Sequence, residues 1–252
     1  MDDNKVVRDR LPHEECGAEM ARVLYEDGHW YCFKCDTYGK EKGEDFMSHQ
    51  PTAPIQGVIN NVLSQGESRA LTDRNISVNT VKKYGVTAKL NKHFYPYFDK
   101  DSCHVANKVR QNNPKNFFTE GNLSSGQLFG QHLFPPSSAK YITVCEGEID
   151  AMSVFELSGS KYPCVSIKSG AASAVRDCKT NLEYLNSFDN IILCFDNDDA
   201  GRKASAGVAE LFEPQKAKIV KLDFKDANEY LKVGKREDFT RAWWSAAPYT
   251  PA

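Results

Sequence analysis

The chain has 252 residues, 40% of them hydrophobic and 26% charged, with a formal net charge of -2 at pH 7. That length suffices for one large domain plus a small one, and the near-neutral charge excludes a protein coated in basic residues for indiscriminate nucleic-acid binding. No apolar run approaches the roughly 20 residues needed to cross a bilayer, and the N-terminal Asp2-Asp3-Asn4-Lys5 lacks a signal-peptide core, so the expectation is a cytoplasmic protein without a membrane partner.

Residues 1–43 are polar and aromatic, with Tyr25, Trp30, Tyr31, Phe33 and Tyr38 but few aliphatics, so a core there needs a staple. The eight cysteines do not suggest disulfides: Cys145 and Cys194 sit in apolar runs, and three others crowd the N-terminal segment of a chain expected in a reducing compartment. His13-x-x-Cys16 and, fifteen residues on, Cys32-x-x-Cys35 form two knuckles that can aim four ligands at one ion. One imidazole and three thiolates suit tetrahedral zinc, and a closed set of four predicts one structural zinc in a small ribbon-like β module. His29 and Trp30 lie outside both knuckles. Either they face outward and contact bases, or they pack on the small core.

Residues 44–60, charged at first and then broken by Pro51 and Pro54, read as a linker. The segment 61–137 is an α+β subdomain, with a helix over Val78 to Tyr84 and strands over His93 to Phe98 and His104 to Arg110. It carries Lys108, Arg110 and Lys115, whose charges either suit phosphate contact or form a solvated face. Arg74, beside the predicted helix start, is a further contact residue.

From 138 to 235 the pattern is regular. Apolar runs at Tyr141 to Cys145, Cys164 to Ile167, Asn190 to Phe195 and Lys218 to Leu222 alternate with helical segments at Ile149 to Leu157 and Ala200 to Phe212. Such alternation predicts an α/β domain with a mostly parallel sheet, whose functional groups gather at the carboxyl ends of the strands. Glu146 ends the first run, Asp150 follows in the first turn of the next helix, and Asp196 and Asp198 end the third run. Carboxylates so crowded call for cations among them, and hard oxygen ligands favour magnesium or manganese. Lys225 and Asp226 follow the last strand and can reach the same site. Residues 236–252 read as a C-terminal helix followed by the start of a linker.

Cys145-Glu146-Gly147-Glu148-Ile149-Asp150 and Phe195-Asp196-Asn197-Asp198-Asp199-Ala200-Gly201-Arg202 resemble the two signature motifs of the Toprim domain. With the zinc module upstream, the whole order resembles the primase half of phage-type primase-helicases. Leu71-Thr72-Asp73-Arg74-Asn75-Ile76-Ser77, Lys108-Val109-Arg110, Lys115-Asn116-Phe117 and Lys225-Asp226-Ala227-Asn228-Glu229 extend the likeness. It departs at His13, where the closest phage group has cysteine.

The resemblance implies DNA-directed synthesis of short RNA primers from nucleoside triphosphates on single-stranded DNA. A replicative helicase in cis or trans and a DNA polymerase that receives the primer are the implied partners. In that frame Asp196 and Asp198 hold magnesium against the triphosphate, while Glu146, with Asp150, either helps deprotonate the attacking hydroxyl or holds a second ion. Two rivals share parts of the pattern. A Toprim nuclease or topoisomerase has the carboxylates, but a topoisomerase also needs a tyrosine nucleophile in another domain. A zinc/Toprim recombination mediator binds DNA without needing the full carboxylate set. Gly234-Lys235-Arg236 lacks the upstream glycine and the hydroxyl of a phosphate-binding ATPase loop, so these residues are expected to prime without unwinding.

Overall fold

A computed structural model describes residues 6–13, 17–26, 28–32, 37–40 and 63–250. The chain divides into two units, Met1–Ile59 and Asn60–Ala252. The expected linker, residues 44–60, lies outside the described residues. No helix among those described is long and apolar enough to cross a membrane.

In the first unit, strands β1 (Val6–His13), β2 (Ala18–Tyr25), β3 (His29–Cys32) and β4 (Thr37–Lys40) form an antiparallel meander in chain order. His13 closes β1 opposite Ala18, and Cys32 closes β3 opposite Arg22. Both side chains are buried. Cys16 and Cys35 lie outside the described residues. Trp30 packs between the His13 ring, 5.0 Å away, and the Arg22 guanidinium at 5.4 Å, while His29 stacks on Tyr25 at 4.2 Å. Both rings named as base contacts are therefore partly engaged in this sheet, and both stay half-buried.

The second unit begins with helix α1 (Val78–Lys83), capped by the Ser77 hydroxyl, which accepts from the Thr80 amide. An antiparallel sheet follows, β5 (Thr87–Lys89), β6 (Lys92–Phe98), β7 (His104–Asn112) and β8 (Lys115–Gly121), paired in that order. The sequence pattern shows no β8, because its side chains are nearly all exposed and no alternation marks it.

The α/β part holds β9 (Tyr141–Cys145), β10 (Cys164–Ser166), β11 (Asn190–Cys194), β12 (Ala217–Ile219) and β13 (Ala247–Pro248) in the order β10-β9-β11-β12-β13. All pairs are parallel except β12 with β13. The strands read as continuous apolar runs because helices cover both faces of a parallel sheet. Helix α2 (Glu148–Leu157) packs with α6 (Ala227–Lys232) and α7 (Arg236–Trp244), and α3 (Ala174–Thr180) with α5 (Asp199–Ala209) and the short α4 (Leu182–Asn186). One correction falls at the C-terminus. The stretch from Ala246, read as the start of a linker, first adds β13 to the sheet edge, and the Tyr249 amide donates to the Ala217 carbonyl at 3.0 Å. Two residues of strand are too short to leave a periodic signal.

One core runs through both parts of this unit. The buried Tyr84 donates its hydroxyl to the Cys164 carbonyl at 2.8 Å, and Phe129 bridges to Ser166. At its margin the His132 ring lies against Phe98, centroids 3.9 Å apart, with His104 on the same phenyl ring at 5.2 Å. Burial, reinforced by His104 and Lys83, pushes His132 from 6.5 down to about 4. The unfolded chain then binds a proton that the folded one refuses, so this contribution is whole above pH 6.5 and drains away as pH falls toward 4. After allowance for the ring's partial exposure, roughly 1 kcal/mol is at stake. His132→Phe should flatten the stability-pH curve in that interval, as measured by urea melts at pH 7 and pH 5. An unchanged slope would show that the ring titrates freely.

Candidate active site

Strands β9 and β11 are neighbours, with Cys145 opposite Cys194, so their carboxyl ends deliver Glu146 and Asp196 side by side. The turn after β9 leads through Gly147 directly into α2, which places Asp150 in its first turn. The turn after β11 is tighter. Gly201, in the first turn of α5, lies so close to the Asp196 backbone that a Cβ there would collide with the Asp196 carbonyl oxygen. Glycine is the residue that permits this approach. Asn197 fastens the same turn to the neighbouring strand connection: its amide donates to the Lys225 carbonyl at 2.7 Å and its side-chain nitrogen to Leu222 at 2.9 Å.

Glu146, Asp150 and Asp196 line a cavity of about 470 Å³ together with Lys108, Arg110 and Lys168. Burial pushes the Asp196 carboxyl up to about 6, aided by Glu146 and Asp226 and opposed by Lys225. Asp150 is raised well above its ordinary value by burial, then by Asp226 and Asp196, although the Asn228 amide donates to it at 3.3 Å. Asp226, read from sequence as a nucleotide contact, thus adds its charge to the carboxylate group. It also caps α6, accepting from the Glu229 amide at 3.0 Å. Asp198 is exposed and caps α5 through one oxygen, 2.8 Å from the Gly201 amide.

Among the described residues no three His, Cys, Asp or Glu side chains converge tightly enough to enclose a metal by themselves. Magnesium does not require such a cage, since it binds through one or two carboxylates and keeps water or phosphate as its other ligands. The donor set fits that chemistry. Glu146 Oε2 is buried without a hydrogen-bond partner, while Oε1 accepts from the Ala171 amide at 3.2 Å. A dication beside it would satisfy the orphan oxygen and relieve the repulsion that raises Asp150 and Asp196.

The cationic part of the lining is built on a cross-strand register. Lys108 pairs with Tyr95 on one side and Thr119 on the other, and Arg110 with Phe117, so these side chains share one face of the sheet. Lys108 Nζ meets Glu148 Oε1 at 2.8 Å and the Lys168 carbonyl at 2.8 Å, and Tyr97 donates its hydroxyl to the same Glu148 oxygen at 2.6 Å. Lys168 is itself buried, with Nζ donating to the Gly126 carbonyl at 2.8 Å, and burial lowers its affinity for a proton. Glu148, Tyr97 and Lys168 were not singled out from the sequence. Lys168 stands two residues beyond the end of β10, so the strand-end rule points to it. Glu148 sits inside the motif but reads there as a helix N-terminal charge.

Of the remaining contact residues, one borders the cavity and one lies apart from it. Lys115 lies on β8 with its ammonium 5.8 Å from the Phe117 ring. Arg74 pairs with Asp73 at 3.5 Å and lends its carbonyl to Asn228, away from the cavity wall.

Residues 143–231 match the Toprim-like family model. The chain is 36% identical over 261 residues to the DNA helicase/primase of Enterobacteria phage T3, covering 99% of this chain and 46% of that protein. It therefore spans about half of that relative's length. Among solved structures it is similar to the primase fragment of the bacteriophage T7 primase-helicase protein, with 35% identity, a TM-score of 0.67, and coverage of 95% of this chain and 100% of the fragment. The DnaG primase catalytic domain bound to ssDNA shares the fold at 15% identity and a TM-score of 0.54, over 71% of this chain and 70% of that one. Identity sustained along the whole of the bacteriophage T7 fragment marks common descent as well as a common fold, and the chain belongs to the phage primase-helicase family, in its primase part.

Proposed function

We propose that this chain is a DNA primase, joining ribonucleotides into short RNA primers on a single-stranded DNA template. One observation carries the reading: Glu146, Asp150 and Asp196 line a single cavity at the carboxyl ends of adjacent parallel strands, and Lys108 and Arg110 line the same cavity. That combination of acidic and basic lining suits a nucleoside triphosphate escorted by a dication.

Glu146, Asp196 and Asp198 would hold magnesium or manganese, which when bound polarises phosphate and offsets its charge. Asp150, kept protonated more readily than an ordinary carboxyl by its neighbours, is suited to exchange a proton with the attacking hydroxyl. Lys108 and Arg110 would neutralise phosphate oxygens, with Lys115 and Lys225 at the margin and Arg74 on the template path. Tyr97 and Glu148 position the Lys108 ammonium.

The N-terminal module would select the template, with zinc held by His13, Cys16, Cys32 and Cys35 and with His29 and Trp30 near the bases. Residues 44–60 would tether it at an effective concentration on the order of millimolar, so weak contacts suffice. A replicative helicase in cis or trans would deliver the template, and a DNA polymerase would receive the primer, in the host cytoplasm. The phage relatives support these partners: one is itself a helicase/primase, and another solved relative shows a bacteriophage T7 lagging-strand DNA polymerase interacting with primase domains bound to an RNA/DNA hybrid.

Incubation with single-stranded DNA, magnesium and labelled ribonucleotides should yield short RNA ladders that begin at preferred template positions. A fragment starting at Asn60 retains the whole second unit and should still join nucleotides, with start sites scattered. No product from the full chain would overturn the primase reading. Template-selective starts from the fragment would overturn the role given to the zinc module.

A further inference from the structure

Most aromatic rings of the second unit are buried or partly buried, but three are exposed: Phe117 at 45% and Phe118 at 37% on β8, and Trp244 at 55%. The surroundings of Phe117 are unusual for a stray surface phenylalanine. Arg110 stands directly opposite it on β7, with the guanidinium 5.5 Å from the ring centroid. Lys108, two residues along β7, and Lys115, two residues back on β8, each place an ammonium 5.8 Å from the same centroid. Strand periodicity puts all four side chains on one face of the sheet, the face whose inner strand carries Tyr95 and Tyr97 toward the carboxylates. Phe117 also lines the cavity that Glu146 and Asp196 line.

An apolar ring left in water is unfavourable. Glu148 already neutralises Lys108, whereas Arg110 and Lys115 have no carboxylate partner among the described ion pairs and would repel one another beside the exposed ring unless an anion joins them. A nucleobase with its flanking phosphates satisfies both demands, since the base covers the ring while the phosphates meet the cations. The location decides between strand and monomer. Phe117 sits on the outermost strand of its sheet, whose side chains are nearly all exposed, so a polymer can enter and leave along it. We propose that Phe117 is a stacking platform for a base of the single-stranded DNA template, where it lines the catalytic cavity. The proposal rests on the primase reading for the identity of the strand, but not for the stacking itself.

The test measures binding of a fluorescent single-stranded oligonucleotide by anisotropy, without ribonucleotides or magnesium. Phe117→Leu should weaken affinity about tenfold, in the range found for loss of one base-aromatic stack. Its salt dependence should stay at the wild-type slope, because no phosphate contact is lost. Lys115→Ala should reduce that slope by about 0.7, one phosphate's share on a single strand. Phe117→Trp should restore affinity, which a merely structural role would not predict. Unchanged affinity in Phe117→Leu, or a loss that tryptophan fails to restore, would overturn the platform. A raised KM for ribonucleotide with unchanged oligonucleotide affinity would assign the ring to the monomer and overturn the template assignment. Failure of the primase reading looks different: the wild type would bind the oligonucleotide through Phe117 and make no RNA.

Discussion

Asp196→Asn should abolish primer synthesis and yet leave the metal-free protein at least as stable as the wild type. The amide keeps the shape of the carboxyl but cannot bind a dication with a full charge, and losses of at least a hundredfold are typical when such a group is neutralised. Stability moves the other way. Asp196 is pushed from 3.8 to about 6 by burial and by Glu146 and Asp226, so the folded protein holds a proton that the unfolded chain releases. This contribution is present in full below pH 3.8 and is lost as pH rises through about 6, which leaves a repelled carboxylate in the fold at neutral pH. Relief of that repulsion is worth roughly 1 kcal/mol at this half-exposed group, after solvent screening. Primer assays and thermal melts in chelator check both halves. Wild-type synthesis by the variant would remove Asp196 from the chemistry, and a markedly lower melting temperature would show that its carboxylate stabilises the fold.

Lys108→Met should destabilise the second unit by about 3 kcal/mol. Glu148 is 5% exposed, and its ammonium partner stands 2.8 Å away. Without Lys108 the carboxylate keeps only the Tyr97 hydroxyl, at 2.6 Å, against the full expense of burying a charge. Glu148→Gln on that background should recover most of the loss, since a neutral amide still accepts from Tyr97 and leaves no unpaired ion. Urea denaturation of the two single variants and the double variant gives the coupling energy. Strictly additive effects would mean that the ion pair contributes nothing beyond the separate burial of each side chain. Primer synthesis should stay impaired in the stable double variant, because a cation of the cavity lining is still missing.

The carboxylate wall could be read from the chain because two simple rules act together there. Parallel strands buried on both faces appear as unbroken apolar runs, so Tyr141–Cys145 and Asn190–Cys194 announce themselves, and function collects just past such runs, at Glu146 and Asp196. Asp150 follows from one helical turn. The paired spacing of His13, Cys16, Cys32 and Cys35 is likewise a local feature of the sequence, and the zinc site proposed from it needs no long-range information.

The basic wall was legible only as composition. Lys108, Arg110 and Lys115 stood out as cations, but their grouping around Phe117 depends on the register of β7 against β8, and β8 is an exposed edge strand that no hydrophobic alternation betrays. Glu148 and Lys108 lie forty residues apart in sequence, and Tyr97 and Glu148 fifty-one. Their junction exists because one core clamps the antiparallel sheet to the parallel one. The buried parallel strands, the helix that follows each of β9 and β11, and the paired spacing of the N-terminal His and Cys residues are short-range properties, written in periodicity and residue type, and the sequence alone determined them here. Which charges neutralise each other, which carboxylate is driven up to about 6 and which ring is left open to solvent depend on distances across the fold, and only the tertiary structure decided those.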